Sequence, residues 1–557
     1  MWRVTAAFVT IAAIFLLVLV RLFYWQVIAG SRLRLEATSQ YNLTFTLPAG
    51  RGAIVSQDGS PLAISVPAYL VFAQPVHIKN SAEFAKLVAP ILLLEEKDVL
   101  AQITQEGRVW VPLIRKATIE TVTALEALNL EGLGFEPVSM RYYPEASMAA
   151  QLLGFVGLDQ NGDDKGYFGL EGFYDRELRG KDGRREVEKD VRGAPILIGE
   201  EERIPAQDGR SLSLWIDRAL QHIVQTRLSE GIQKYGAKQG SIIVMDPQTG
   251  GVLAMASYPD YEPASYGSFE KELYKNSLVA STYEPGSTFK VLVMAAALNE
   301  KAVISTTTFD EAGPVRVGEY SIRTWNGQYR GIQTMTEVIQ HSSNVGMVFV
   351  GNKLGRESFL QYIEDFGFGK LTNVDLEDEA AIPLRQDSQW REIDLATASF
   401  GQGIAVTPIQ MAVAVASIAN GGWLMEPHVV KRISDTKGKT VEMKPKRIRR
   451  VIGKEAAEVM TEMMINAVDN GEAKWAKPKG YRIAGKTGTA QIPVAGHYDE
   501  TKTIASFIGF APADDPQFVM LVTLREPTSS PWGSETAAPL FFTIARDIFL
   551  YKNILPK

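Results

Sequence analysis

A serine and a lysine three residues apart, Ser287 and Lys290, stand in Tyr283-Glu284-Pro285-Gly286-Ser287-Thr288-Phe289-Lys290, where a helix has to begin. Pro285 and Gly286 end whatever precedes them, and Val291 to Leu298 continues as an apolar, alanine-rich run of high helix propensity. A spacing of three puts hydroxyl and amine on one helix face, within side-chain reach. The pair therefore calls for a buried helix that carries two polar groups in its first turn. A serine hydroxyl is a poor nucleophile at neutral pH, and a neighbouring amine that takes its proton changes that. The N-terminal end of a helix also favours the negative charge that develops during attack. Alone the pattern is weak, since a chain this long holds on the order of one or two such pairs by chance.

Composition removes several alternatives. With 557 residues the chain holds more than one domain, and its 46% hydrophobic and 22% charged residues are those of globular proteins. A net charge of −6 gives no basic stripe, so no nucleic-acid partner is expected. There is no cysteine, which excludes disulfides, thiolate metal sites and a cysteine nucleophile. His77, His222, His341, His428 and His497 lack metal-ligand spacing, so neither a metal site nor a cofactor is expected.

Val4 to Val20 is a 17-residue run without charge, and Leu22 to Ile28 continues it past Arg21. Trp2 lies at one end and Phe23, Tyr24 and Trp25 at the other, where amphipathic rings sit at a membrane interface. The length suffices for one transmembrane helix with Arg21 snorkelling to the interface. A signal peptide cleaved near Val27-Ile28-Ala29 and a buried core helix are the alternatives. Local charge does not orient the span: Arg3 precedes it, while Arg21, Arg32 and Arg34 follow.

Three segments are expected: an anchor at 1–30, a β-rich, modular pedestal at 31–210 and an α/β domain at 211–557. In the pedestal, short apolar runs alternate with turn signals such as Asp58-Gly59, with helical patterns near 81–104 and 118–129. Residues 180–193 read as a charged, solvated hairpin. In the last segment, strands at 241–246 and 252–257 precede helices at 287–300, 334–352, 357–366, 408–420 and 455–469. Strands at 481–491, 503–510 and 517–525 follow, then a helix at 537–549. Strands at both ends with helices between them predict a mixed α/β domain whose sheet is completed by the C-terminal strands.

Downstream of Ser287 lie Ser342-Ser343-Asn344, an SxN pattern, and Lys486-Thr487-Gly488-Thr489, a KTGT pattern in a strand-like run. Each alone is ordinary, and a Ser-Asn pair usually caps a helix. The ordered set SxxK, SxN, KTG is more specific, because its elements are required jointly in one kind of serine acyl-transfer site; Ser343 here replaces the Asp of the S-D-N form. In such a reaction Ser287 attacks, and Lys290 acts as base if crowding and positive charge depress its pKa. Ser342 relays a proton to the leaving amine, and Asn344 orients Lys290 and holds the substrate amide. Lys486 supplies positive field, Thr487 and Thr489 bind a carboxylate, and Gly488 lets a substrate strand approach. The N–H groups of Ser287 and Thr489 form an oxyanion hole, with each donor worth ~3 kcal/mol.

Gly480 to Thr487 also fits the P-loop pattern GxxxxGK(S/T). A P-loop opens a helix, and Gly488, Pro493 and Gly496 cannot start one. Nucleotide binding is therefore not expected.

Over nearly its whole length the chain resembles class B penicillin-binding proteins, monofunctional peptidoglycan transpeptidases. The likeness rests on the three motifs and on Arg51-Gly52-Ala53-Ile54, Arg141-Tyr142-Tyr143-Pro144, Gly169-Leu170-Glu171-Gly172, Gly401-Gln402-Gly403 with Thr407-Pro408, and Phe507 to Pro512. YEPGSTFK and RYYP resemble the septal branch more than the elongation branch. The resemblance implies a penicillin-binding, β-lactamase-like transpeptidase fold on an elongated pedestal, anchored in the cytoplasmic (inner) membrane with the catalytic domain outside. It implies D-Ala-D-Ala stem peptides as donors, acylation of Ser287 by β-lactams, and a membrane glycan polymerase and other divisome proteins as partners. Neither a glycosyltransferase domain nor a C-terminal extension of small repeats is read from the sequence. An elongation-type enzyme, a serine β-lactamase or β-lactam sensor, and a non-catalytic scaffold stay open at this point, as does the protonation state of Lys290.

Overall fold

In the computed structural model of the chain, residues 1–33, 42–188, 201–494 and 497–556 are described. They form two compact units, Met1–Gly50 with Gly180–Gly209, and Arg51–Arg179 with Arg210–Lys557.

The first unit holds the apolar N-terminal helix. It runs Trp2–Phe23 and continues as a π-helical turn, Tyr24–Ile28, with none of its residues buried. At 27 residues it is the one helix, among the described residues, long and apolar enough to cross a membrane. A rise of ~1.5 Å per residue makes it roughly 40 Å long, more than a hydrocarbon core. The unit also carries an antiparallel sheet in which Gly183–Glu188 pairs with Asn42–Leu47 and with Glu201–Ile204. The first part of the charged 180–193 stretch is thus a strand arm; residues 189–193 lie outside the described residues.

In the second unit, Ile54–Val55 turns at Gly59 (φ +86°) into the long strand Pro61–Ala73, which pairs with Val111–Ala117 and Leu133–Tyr142. Helices Ser81–Leu92, Glu96–Ile103 and Ile119–Glu126 bury Phe84, Val88, Val99, Val122 and Leu125 against these strands. The expected helix over 81–104 is split where Leu93 takes a left-handed conformation (φ 55°). Three of the quoted stretches meet in one buried ion cluster. Arg51 Nε donates to Glu171 Oε2 at 2.7 Å, Arg51 Nη1 to Asp175 at 2.7 Å, and Arg141 Nε to Glu171 Oε1 at 2.6 Å. Glu171 is wholly buried between the two arginines, so its loss strands the Arg141 charge, a loss of about 3–5 kcal/mol.

The sheet that carries the KTGT residues has five strands, all antiparallel, in the order Val252–Tyr258, Gln239–Met245, Phe518–Arg525, His497–Ala511, Ala484–Val494. The C-terminal strands complete the sheet that the first two begin, as expected. Its residues alternate between two cores. Ile242, Val244, Phe507, Met520 and Val522 face helices Arg218–Tyr235 and Ala537–Tyr551. Ile243, Met245, Ile508, Leu521 and Val519 face Lys290–Asn299, Pro408–Ala419 and Lys454–Asn470. The edge strand Ala484–Val494 carries the KTGT residues. One pairing crosses the expected pedestal boundary: Ser211–Leu214 lies parallel to Ile54–Val55 and antiparallel to Val430–Ser434.

Candidate active site

The nucleophile segment opens as a 3-10 turn, Gly286–Phe289, and becomes α-helical at Lys290. Gly286 is left-handed (φ +55°), and its N–H donates to Gly401 O at 3.0 Å. Gly401 is itself left-handed (φ +82°), and a Cβ there would lie 2.1 Å from Gly286 O. The Gly401-Gln402-Gly403 stretch is thus a cradle that only glycine at 401 permits. Thr288, Phe289 and Lys290 are buried, whereas Ser287 stays partly exposed and reachable.

Helix Lys290–Asn299 points the amine of Lys290 into the SxN turn. Its Nζ donates to Ser342 O at 2.6 Å and to Asn344 Oδ1 at 2.7 Å, and stands 3.3 Å from Ser342 Oγ. The sequence reads as one helix over 334–352; the structure breaks it into Met335–Gln340 and Asn344–Leu354. The break has two local causes. Ser342 is left-handed (φ 56°), and Ser343 caps the second helix by accepting from Gly346 N at 2.8 Å. The break turns the Ser342 carbonyl and hydroxyl and the Asn344 amide toward Lys290. Asn344 Nδ2 donates in turn to Arg323 O at 3.2 Å.

The KTGT strand closes the other side. A Cβ on Gly286 would stand 3.2 Å from Thr489 O, so the nucleophile turn lies directly on this strand. A Cβ on Gly488 would meet Thr288 Cγ2 at 2.8 Å and Ser506 Oγ at 2.4 Å. The groups that demand glycine at 488 are therefore the nucleophile turn and the neighbouring strand. Lys486 is buried, its Nζ 3.1 Å from Thr487 Oγ1 and 3.2 Å from Thr487 O. Thr489 Oγ1 accepts from Gly533 N at 3.0 Å, and adjacent Trp532 meets Trp325 edge-on at 4.8 Å between ring centres.

All eight predicted residues thus come together: Ser287, Lys290, Ser342 and Asn344 from the helical side, and Lys486, Thr487, Gly488 and Thr489 from the sheet edge. Burial, and next the charge of Lys486, hold Lys290 well below the ordinary amine range. Glu472 and Glu311 oppose that shift. Burial pushes Lys486 down to about 8 against the pull of Glu472. Desolvation by the surrounding protein raises Glu472 above the usual carboxylate range, although the residue is exposed to solvent.

Glu311 and Glu472 escaped the sequence reading because neither belongs to a motif. Glu311 ends the strand Thr308–Glu311 and is 1% exposed. It accepts from Gln333 Nε2 at 2.7 Å, from Arg330 N at 3.2 Å and from Ser343 Oγ.

Comparison with known proteins agrees with this architecture. The penicillin binding protein transpeptidase domain matches residues 240–549, and the penicillin-binding protein dimerisation domain matches residues 46–214. The chain is 35% identical to Stage V sporulation protein D of Bacillus subtilis (strain 168), over 98% of this chain and 85% of that protein. It is 31% identical to the peptidoglycan D,D-transpeptidase FtsI of Escherichia coli (strain K12), over 96% of this chain and 89% of that one. Among solved structures, it superposes on a peptidoglycan synthetase from Bifidobacterium adolescentis with a TM-score of 0.75 at 28% identity, covering 93% of this chain and 98% of that one. Penicillin binding protein 2X from Streptococcus thermophilus gives 0.76 at 26% identity, covering 91% and 80%. With both domains matched in chain order and the three motifs gathered in one cleft, the chain belongs to the penicillin-binding protein transpeptidases, in their class B form with a dimerisation domain ahead of the transpeptidase domain.

Proposed function

We propose that this protein is a peptidoglycan D,D-transpeptidase that works through an acyl-enzyme on Ser287, in septal wall synthesis during cell division. The observation that carries the reading is the buried Lys290 amine, held by Ser342 and Asn344 beside the buried Lys486. Two carbonyl acceptors use two N–H bonds of a neutral amine, which leaves its lone pair for a hydroxyl proton. Ser287 Oγ, deprotonated by Lys290, attacks the carbonyl carbon of the penultimate D-Ala. An ester forms and the peptide C–N bond breaks. The proton reaches the leaving nitrogen through Ser342, and D-Ala departs. An acceptor amine of a second stem peptide then attacks the ester, forms the cross-link amide and returns Ser287. Lys486, Thr487 and Thr489 bind the donor carboxylate, and the N–H groups of Ser287 and Thr489 hold the oxyanion. A β-lactam acylates the same serine and stays.

We assign residues 1–30 to a single-pass anchor in the cytoplasmic membrane, 31–210 to the pedestal and 211–557 to an extracytoplasmic transpeptidase domain; the two matched segments support this division. A membrane glycan polymerase and other divisome proteins are the proposed partners. Labelling with a fluorescent penicillin tests the core of the reading. Wild type should take one stable label, seen by intact mass, and Ser287→Ala none. An unlabelled wild type favours a non-catalytic scaffold, and rapid loss of the label favours a β-lactamase. The likeness to Stage V sporulation protein D supports a second reading, a transpeptidase used at sporulation. Depletion during growth separates the two: filamentation supports the septal role, and normal division supports the sporulation role.

A further inference from the structure

The SxN motif of this chain lacks the aspartate of the S-D-N form, having Ser343 at its centre. The structure places a carboxylate at that point from elsewhere in the chain. Ser343 Oγ accepts from Gly346 N at 2.8 Å and donates its one proton to Glu311 Oε1. Glu311 Oε2 accepts from Gln333 Nε2 and from Arg330 N. Every contact of Glu311 is therefore a donor aimed at it, and the group is 1% exposed. A buried carboxylate is costly unless it is used, and this one ends against the cap of the helix whose first residue, Asn344, holds Lys290 Nζ at 2.7 Å.

We propose that Glu311 supplies, through Ser343, the negative charge that aspartate carries in the S-D-N form, and that it is the positioning residue for the Asn344–Lys290 pair. The inference rests on the proposed acyl-enzyme reading. It assigns two tasks to Glu311: it fixes the cap from which Asn344 reaches Lys290, and it sets part of the field at the amine. The charged groups facing Lys290 are Lys486 on the edge strand, Glu472 after the helix Lys454–Asn470, and Glu311. Arg330 and His341 lie within the same field; burial and Arg330 lower His341, while Glu337 and Glu311 raise it. Lys486 pushes the amine toward its neutral form, and Glu311 pulls the other way.

The test is the pH profile of Ser287 acylation by a fluorescent penicillin, measured on the full chain. Glu311→Gln keeps the size and removes the charge. Its acid limb, where Lys290 takes up a proton, should move to lower pH by roughly half a unit or more. Glu311→Asp should keep the wild-type limb. The double variant Glu311→Gln with Ser343→Asp, which returns the charge to the motif itself, should restore it. An E311Q limb that coincides with wild type, at whatever rate, would overturn the proposal and leave Glu311 a structural residue. So would a double variant whose limb stays displaced. If E311Q fails to fold, the double variant decides alone by the same criterion. A wild type that takes no label defeats the acyl-enzyme reading, whereas a labelled wild type with an unmoved E311Q limb defeats only this inference.

Discussion

Gly401 offers a quantitative test of how the nucleophile is held. Gly401 and Gly403 are both left-handed, at φ +82° and +75°. Alanine at either position incurs the same backbone strain, about 1–2 kcal/mol. Their surroundings differ. A Cβ on Gly403 meets Thr397 Oγ1 at 3.5 Å and Arg385 Nη2 at 4.0 Å, both ordinary contacts, whereas one on Gly401 lies 2.1 Å from Gly286 O. Relief there means that the backbone next to Ser287 retreats by roughly 1 Å, an overpacking cost of about 1–3 kcal/mol. Gly403→Ala should therefore lose about 1–2 kcal/mol and Gly401→Ala about 2–5. At ~2 °C per kcal/mol for a domain of this size, melting temperatures should fall by ~2–4 °C and ~4–10 °C respectively. The larger separation should come in chemistry. A shift of ~1 Å at a nucleophile costs on the order of 100-fold in rate, so penicillin acylation by stopped flow should slow by that factor in Gly401→Ala and by less than about threefold in Gly403→Ala. Equal melting temperatures and equal acylation rates in the two variants would refute the claim that Gly401 cradles the serine.

Lys486→Met should move the acid limb of Ser287 acylation to higher pH, opposite to Glu311→Gln, because Lys486 is the charge that depresses Lys290. Lys486 itself drops from its ordinary 10.5 to about 8 on folding. Between those values the unfolded chain holds a proton that the folded chain has released, so this group's contribution to stability rises with pH across that window. The rise is about 3 kcal/mol; denaturant titrations at pH 8 and 10.5 should show it in wild type and lose it in Lys486→Met. Asp375 provides a check away from the cleft. It is buried, accepts from Val429 N at 2.6 Å and Val430 N at 2.9 Å, and takes the Tyr174 hydroxyl at 3.0 Å. Asp375→Asn turns an amide donor toward one of those N–H groups and should lower stability by about 1–3 kcal/mol in urea unfolding, leaving penicillin acylation within about twofold.

Local features were legible in the sequence. Proline and glycine ahead of an alanine-rich run announced the nucleophile helix. The short continuous apolar runs near 241–257 and 503–525, bounded by turn residues, announced the sheet, since each strand buries apolar side chains in two cores. The break at 341–343 was half legible: a Ser-Asn pair usually caps a helix, yet the apolar residues on both sides read as one helix over 334–352. The left-handed Ser342 is where the two helices part. Gly488 illustrates a different limit. Its smallness was legible, but the atoms that require it, on Thr288 and Ser506, lie on segments brought there by the fold.

Of the site's electrostatics the sequence offered the condition, a lysine depressed by crowding and positive charge, but not the outcome. Motifs named the two lysines, yet an amine in an exposed cleft and an amine with no exposed surface are opposite reagents at neutral pH. Which of these Lys290 becomes depends on three partners from distant segments: Lys486 on the edge strand, Glu472 beyond the helix Lys454–Asn470, and Glu311 behind the Ser343 cap. Removing the positive partner and removing a negative one must then displace the same titration in opposite directions. A purely steric account of either residue predicts no displacement at all, so the pair of variants separates field from packing in a way that neither does alone.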